Sequence, residues 1–173
     1  MKQILICIAF LGFIGSSTAQ KIKWYSFTEG IEKAKKEDKK VFIDVYTDWC
    51  GYCVKMDKTT FSNSEVAKEM NKHFIAIKFN AETKDTINFK DYQFVGLKQG
   101  NGRTTNTLAY ALVGERLSFP SFVFLSNKDF NKIDVVKGYI QKDHFINILE
   151  YIGTDSFKTT KFKDFIEAKQ KKE

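Results

Sequence analysis

From residue 20 onward, the apolar positions of the chain follow two alternating periods. Ser26-Phe27-Thr28-Glu29 carries the Ser-x-x-Glu spacing of a capping box and predicts a helix running to about Lys39. Val41 to Tyr46 is almost entirely apolar, the pattern of a strand buried on both faces, and Asp44 is its one interruption. Cys50 to about Thr59 predicts a helix directly after that strand. Ser62-Asn63-Ser64-Glu65 restarts a helix to about Lys72, and Phe74 to Asn80 is a second buried strand. Residues 81–104 are the least regular. Within them Ile87 to Leu97 reads as a short hairpin or an extended excursion, and Lys98 to Gly102 as a flexible turn. Thr105 to Val113 predicts a helix stopped by Gly114.

The last third is more regular. Ser118 to Ser126 is a strand containing Pro120, Asn127 to Asp129 a turn, and Ile133 to Lys137 a further strand closed by Gly138. Lys142 to Ile152 has Phe145, Ile148, Leu149 and Ile152 at helical core spacing, with Gly153 as its end. Phe162, Phe165 and Ile166 predict a short amphipathic helix in the tail. The order of helices and strands implies an α/β fold, a central mixed sheet covered by helices on both faces. No internal repeat or second domain is visible, so residues 20–154 are read as one domain and 155–173 as a basic helical tail.

The first nineteen residues have a different character. A positive start at Lys2, an apolar run from Ile4 to Ile14 and small residues at Ser17-Thr18-Ala19 read as a secretory signal cut after Ala19. The run is shorter than the roughly 20 apolar residues a spanning helix needs, and no later stretch approaches that length. The expected location is therefore periplasmic or secreted. Cleavage removes Cys7 and Lys2 and leaves 154 residues with a net charge of +6. This charge does not indicate nucleic-acid binding. Of the 28 basic residues only Arg103 and Arg116 are Arg, and acids are interleaved with the lysines, whereas phosphate recognition favours clustered Arg forks.

Both remaining cysteines lie in Cys50-Gly51-Tyr52-Cys53. An exported dithiol is expected to be oxidised for part of its working cycle, and a loop this short constrains the unfolded chain too little for stability to be its purpose. A thiol at the first turn of a helix is acidified by unsatisfied amides and the positive dipole end. Cys50 is placed to attack, and Cys53, one turn on, to resolve the mixed disulfide. The same spacing supplies half of many zinc sites. The further ligands would have to be His73 and His144, which have no paired spacing, so no metal and no cofactor is expected.

Phe42 to Cys53, with an acid six positions before the first cysteine and Trp49 immediately before it, resembles the active-site strand and turn of the thioredoxin superfamily. The continuation through Lys55-Met56 and Thr60 to Val66 resembles the thioredoxin-like C-terminal domain of DsbD thiol:disulfide interchange proteins and their stand-alone exported relatives. The resemblance covers about residues 40–80 and 105–152 and implies a thioredoxin fold. It further implies that Phe119-Pro120 is the superfamily's cis-proline step facing the disulfide, with the Phe119 backbone pairing to an extended substrate. In the same way Asp44 would be the buried acid that exchanges a proton with Cys53, and Lys78 its basic neighbour. Trp49, Gly51 and Tyr52 would tune access and acidity.

Two departures stand out. The proline that kinks the active-site helix in the family is absent, so the break near Phe61-Ser62 must come from capping. Gly51-Tyr52 replaces the Gly-Pro of thioredoxins, which bears on the redox potential. The expectation is a monomeric exported thiol:disulfide oxidoreductase, reducing exported proteins or serving a redox relay. Its partners would be protein thiols and disulfides, a membrane electron donor among the candidates. The alternatives are an isomerase or oxidase using the same residues, or a binding module whose disulfide is structural.

Overall fold

The computed structural model describes residues 20–100 and 102–171. The expected leader, residues 1–19, lies outside them. Five strands form the central sheet in the spatial order β1 (Trp24–Tyr25), β3 (Phe74–Asn80), β2 (Lys40–Tyr46), β8 (Ser121–Leu125) and β9 (Lys132–Lys137). β3 runs parallel to both β1 and β2, whereas β8 is antiparallel to both of its neighbours, β2 and β9. The sheet is mixed, as the element order implies.

Helices cover both faces. On one side α1 (Phe27–Glu37) and α4 (Thr107–Val113) pack on Val41, Ile43 and Val45 of β2, Ile75 and Ile77 of β3, and Val123 of β8. On the other side α2 (Gly51–Lys58), α3 (Ser64–His73) and α5 (Lys142–Gly153) enclose Phe42, Phe74, Phe122 and Phe124. This is the period-2 alternation of β2 made physical: odd residues face one helical layer and even residues the other. The tail forms a 3-10 turn at Ser156–Lys158 and a helix, α6 (Phe162–Gln170), which returns to α5. There the Phe162 ring meets Tyr151 at 5.1 Å and Lys169 pairs with Glu150.

The structure corrects several boundaries. β1 has only two residues and gave no strand pattern; parallel pairing with Ala76 and Ile77 of β3 creates it. The third helix is capped by Asn63 rather than Ser62: Asn63 Oδ1 accepts from the backbone N–H groups of Glu65 and Val66. Ser62 instead closes the preceding helix, its hydroxyl donating to the carbonyls of Lys58 and Thr59. With Thr59 Oγ1 donating to Lys55 O and Thr60 Oγ1 to Ile140 O, hydroxyl groups satisfy the backbone where the family's proline is missing. The helix expected from Thr105 starts at Thr107, because Thr104–Asn106 forms a strand, β7, and Asn106 is the N-cap. Pro120 precedes β8 instead of lying inside the strand.

Gly153 is the last residue of α5 and not its stop. A Cβ there would lie 2.5 Å from the His73 ring, so the glycine gives α3 and α5 room to approach. The irregular stretch forms two small antiparallel ribbons, β4 (Ile87–Phe89) with β5 (Tyr92–Phe94), and β6 (Gly96–Lys98) with β7.

Candidate functional site

Strand β2 ends at Tyr46, and Thr47 to Cys50 leads into α2. Cys50 is the N-cap of that helix. Its backbone is extended, its carbonyl accepts from Cys53 N–H, and its Sγ also accepts from Cys53 N–H at 3.1 Å. The two cysteines are joined in a disulfide with their Cα atoms 5.3 Å apart. Cys50 is 5% exposed and Cys53 3%, while Trp49 and Tyr52 beside them are 53% and 61% exposed. Gly51 is open to solvent, with nothing within 4 Å of where a Cβ would stand. The disulfide is thus recessed between two protruding rings.

Phe119 and Pro120 reach the same place. Their peptide bond is cis, and the Phe119 ring meets Trp49 edge-on at 5.9 Å. Trp49 is also covered by Arg103, whose guanidinium carbon sits 4.5 Å from the ring centroid. On the other flank Tyr52 leans on Tyr139 at 6.3 Å, and Lys55 Nζ lies 4.5 Å above the Tyr139 ring.

The charged residues follow from sheet register. Asp44 and Lys78 are partners across the parallel β2–β3 pairing, so both side chains emerge on the α2 side. Lys78 Nζ is 2.8 Å from Asp44 Oδ2 and also pairs with Asp57 of α2. Trp24, Tyr46 and Phe61 surround the ammonium, with ring centroids 5.0–5.5 Å away. Neither carboxylate oxygen of Asp44 has a hydrogen-bond donor in good geometry, so its contact with Lys78 is one of charge. Burial pushes the Asp44 carboxyl up to about 6, against the opposing pull of Lys78. Lys78 is pushed up, because attraction to Asp44 and Asp57 outweighs the burial that opposes its charge.

The structure therefore brings Trp49, Cys50, Gly51, Tyr52, Cys53, Phe119 and Pro120 to one end of the sheet. Asp44 and Lys78 form a charged pair inside the α2 layer. Three residues of this neighbourhood escaped the sequence reading. Asp57 carried a usable signal, since it stands four residues after Cys53 and so on the same side of α2. Arg103 and Tyr139 carried none, because distant loops deliver them. Among the described residues, no group of three His, Cys, Asp or Glu side chains could hold a metal ion.

Comparison with known proteins locates this arrangement. The chain is 34% identical over 82 residues to the uncharacterized protein B0495.5 of Caenorhabditis elegans, covering 47% of this chain and 11% of that one. It is 30% identical to the thiol:disulfide interchange protein DsbD of Vibrio cholerae, over 40% of this chain and 15% of that protein. The match thus spans a small part of these relatives' length. A thioredoxin-fold protein from Helicobacter pylori superposes with a TM-score of 0.59 over 79% of this chain and 88% of that one, at 22% identity. The fold is that of thioredoxin. Residues 11–160 match the family Thioredox_DsbH, described as a protein of unknown function, DUF255, and the chain belongs to that family.

Proposed function

We propose that the protein is an exported thiol:disulfide oxidoreductase that reduces disulfides of exported proteins or passes electrons along a redox relay. The observation that carries this reading is the Cys50–Cys53 pair at the start of α2, recessed between exposed rings. The leader-like pattern of residues 1–19 supports export, and residues 20–154 are the catalytic domain with 155–173 as an appended tail. Among the described residues no helix is long and apolar enough to cross a membrane.

In the reduced protein the Cys50 thiolate is stabilised by the Cys53 N–H and by the dipole of α2. It attacks one sulfur of a substrate disulfide; a Cys50–substrate bond forms as the substrate's own S–S bond breaks and releases a thiolate. Cys53 then gives its proton to Asp44 and attacks Cys50 Sγ. The Cys50–Cys53 bond closes, the second substrate sulfur leaves and takes up a proton, and two electrons have moved to the substrate. A dithiol of a partner protein, such as a membrane electron donor, must reduce the pair again. Asp44 suits its part because burial holds its proton affinity near neutrality, where a carboxyl can both accept and return a proton. Lys78 limits that rise and holds the carboxylate. Phe119 and Pro120 offer backbone to an extended substrate, while Trp49, Gly51 and Tyr52 form the rim it crosses.

Dithiol-dependent insulin reduction tests the reading, and Cys50→Ser should abolish it; retained activity in that variant would sink the proposal. A Cys53→Ala variant should accumulate mixed disulfides at Cys50, and mass spectrometry of what is attached identifies the partners. Equilibration in a glutathione buffer fixes the direction. A potential near or below about −230 mV supports a reductase, and one near about −120 mV an oxidase.

A further inference from the structure

We infer that the cavity bounded by the β4–β5 ribbon and α4 binds an apolar chain ending in one carboxylate, of the size of a medium-chain fatty acid, with Lys90 and Lys132 receiving the carboxylate at its mouth. The inference is independent of the disulfide chemistry, and no residue placed at that site lines the cavity.

The cavity measures about 380 Å³. At about 30 Å³ for each non-hydrogen atom, the share of one water in the liquid, that is room for roughly a dozen atoms. Its base is apolar and closed: Leu108 and Leu112 of α4, Leu125 at the end of β8 and Phe130 beyond it are buried. The ribbon adds Phe89, Tyr92 and Phe94. It is not hydrogen-bonded into the central sheet and rests on the core through its side chains, Phe89 meeting Phe27 at 5.2 Å and Phe130 at 6.3 Å. At the open end Lys90, Tyr92, Ala111 and Lys132 are all exposed. An opening that leads from an exposed rim to a buried apolar base takes a ligand by its apolar end and leaves its polar end at the rim.

That rim is cationic. Lys132 Nζ donates to the Ala111 carbonyl at 3.0 Å and Lys90 Nζ to Asn131 Oδ1 at 3.1 Å, so both acceptors are neutral. Neither ammonium is paired with a carboxylate among the described residues, and an ammonium carries further N–H donors beyond the one used. The acids nearest in sequence, Asp91, Asp129 and Asp134, keep their negative charge, but none of them lines the cavity. Asp91 lines the neighbouring recess, which Ile31 and Lys35 of α1 share. The turn of the ribbon is shaped around this placement. Lys90 and Asp91 both have left-handed backbones, with φ of 48° and 56°, which Asn-Gly adopts at least cost in a two-residue hairpin turn. A lysine held there carries its ammonium to the rim. An uncharged chain would gain only from burial in this cavity, whereas a carboxylate at its end gains charge-assisted hydrogen bonds as well.

The test titrates decanoate, matched to the cavity in size, and decanol into the isotope-labelled oxidised protein, followed by amide chemical shifts. Decanoate should bind saturably, with a dissociation constant below about 1 mM, and move the amides of β4, β5, α4 and residues 130–132. Decanol should bind at the same place about tenfold more weakly, because the charge-assisted bonds are lost. The double variant Lys90→Gln, Lys132→Gln should bring decanoate down to the affinity of decanol. Ala111→Trp, which fills the mouth from an exposed position on α4, should remove the binding of both. No saturable binding of decanoate, or shifts centred outside this cavity, would overturn the inference. Equal affinities of the parent protein for decanoate and decanol would overturn the role of the two lysines and with it the carboxylate. Self-association of the ligand-free protein that Ala111→Trp abolishes would give the cavity to a second copy of the chain and overturn the inference as well.

Discussion

Strand β2 lies between two helical layers, and its two faces bury different things. Toward α1 and α4, Val41, Ile43 and Val45 pack in one hydrophobic cluster with neighbours such as Ile31, Ile77, Leu108 and Val123. Toward α2, α3 and α5, Phe42 sits among Phe61, Phe122, Phe124 and Phe145, with ring centroids 5.3–6.1 Å apart, and the next residue on that side is Asp44. A carboxylate taken out of water costs free energy that one ion pair with Lys78 only partly returns. The aliphatic face is therefore built for stability alone. The aromatic face combines dense ring packing with the one deeply buried carboxylate among the described residues, and the disulfide lies at the end of that same layer.

The largest effect comes from the rings. Phe42→Ala should cost about 4 kcal/mol, against about 1 kcal/mol for Ile43→Val on the opposite face. Urea unfolding of the oxidised protein measures both. A loss at Phe42 no larger than that at Ile43 would mean that the ring cluster does not carry the weight its packing suggests. Lys78→Met comes next. It leaves Asp44 buried with no cation in contact, so at pH 8 the variant should lose about 3 kcal/mol. At pH 4.5 the loss should shrink, because Asp44 is then mostly protonated and needs no partner.

Much of this contrast was legible before the structure. An all-apolar strand interrupted once, at Asp44, identified both the buried strand and the residue that does not fit it. The C-x-x-C spacing after it located the start of α2. What stayed hidden depends on long-range register or on loops. By pattern alone Lys78 is one polar residue in an apolar run; only the thioredoxin resemblance named it as the neighbour of Asp44, and the parallel pairing of β2 with β3 is what sets it there. β1 exists only because β3 pairs with it. The role of Gly153 is invisible without His73, eighty residues earlier, standing where its side chain would go. Arg103 and Tyr139 reach the rim from loops whose paths no local periodicity specifies.

Asp44→Asn sharpens the comparison in the opposite direction. The folded protein holds the Asp44 proton up to about pH 6, whereas the unfolded chain releases it near its ordinary value of 3.8. Between those limits the native state binds more protons, so stability falls as pH rises through the window, by about 3 kcal/mol in total. Asparagine removes that slope but also the attraction to Lys78. The oxidised variant should therefore be more stable than the parent by about 2 kcal/mol at pH 8 and little different at pH 4. Equal stability at both values would show that the carboxylate is not strained by its burial. The same variant should slow the second exchange step, seen as longer-lived mixed disulfides.

The smallest effect is expected on the outside of the aliphatic face, and it isolates burial as the cause of the others. Glu37 on α1 accepts from Lys33 at 2.6 Å, and this bond holds its carboxyl below the ordinary value. Its linkage has the opposite sign to that of Asp44: whatever stability the pair contributes is present above the unfolded pKa and lost as pH falls through the lower folded one. Both side chains are well exposed, so water and salt screen the attraction. Glu37→Gln should leave the urea midpoint at pH 8 unchanged within error, and 0.5 M salt should erase any residual shift. A change comparable to that of Asp44→Asn would mean that carboxylates throughout this fold are energetically costly or valuable alike. In that case the aromatic side would have no special claim as the place where stability is traded for a proton.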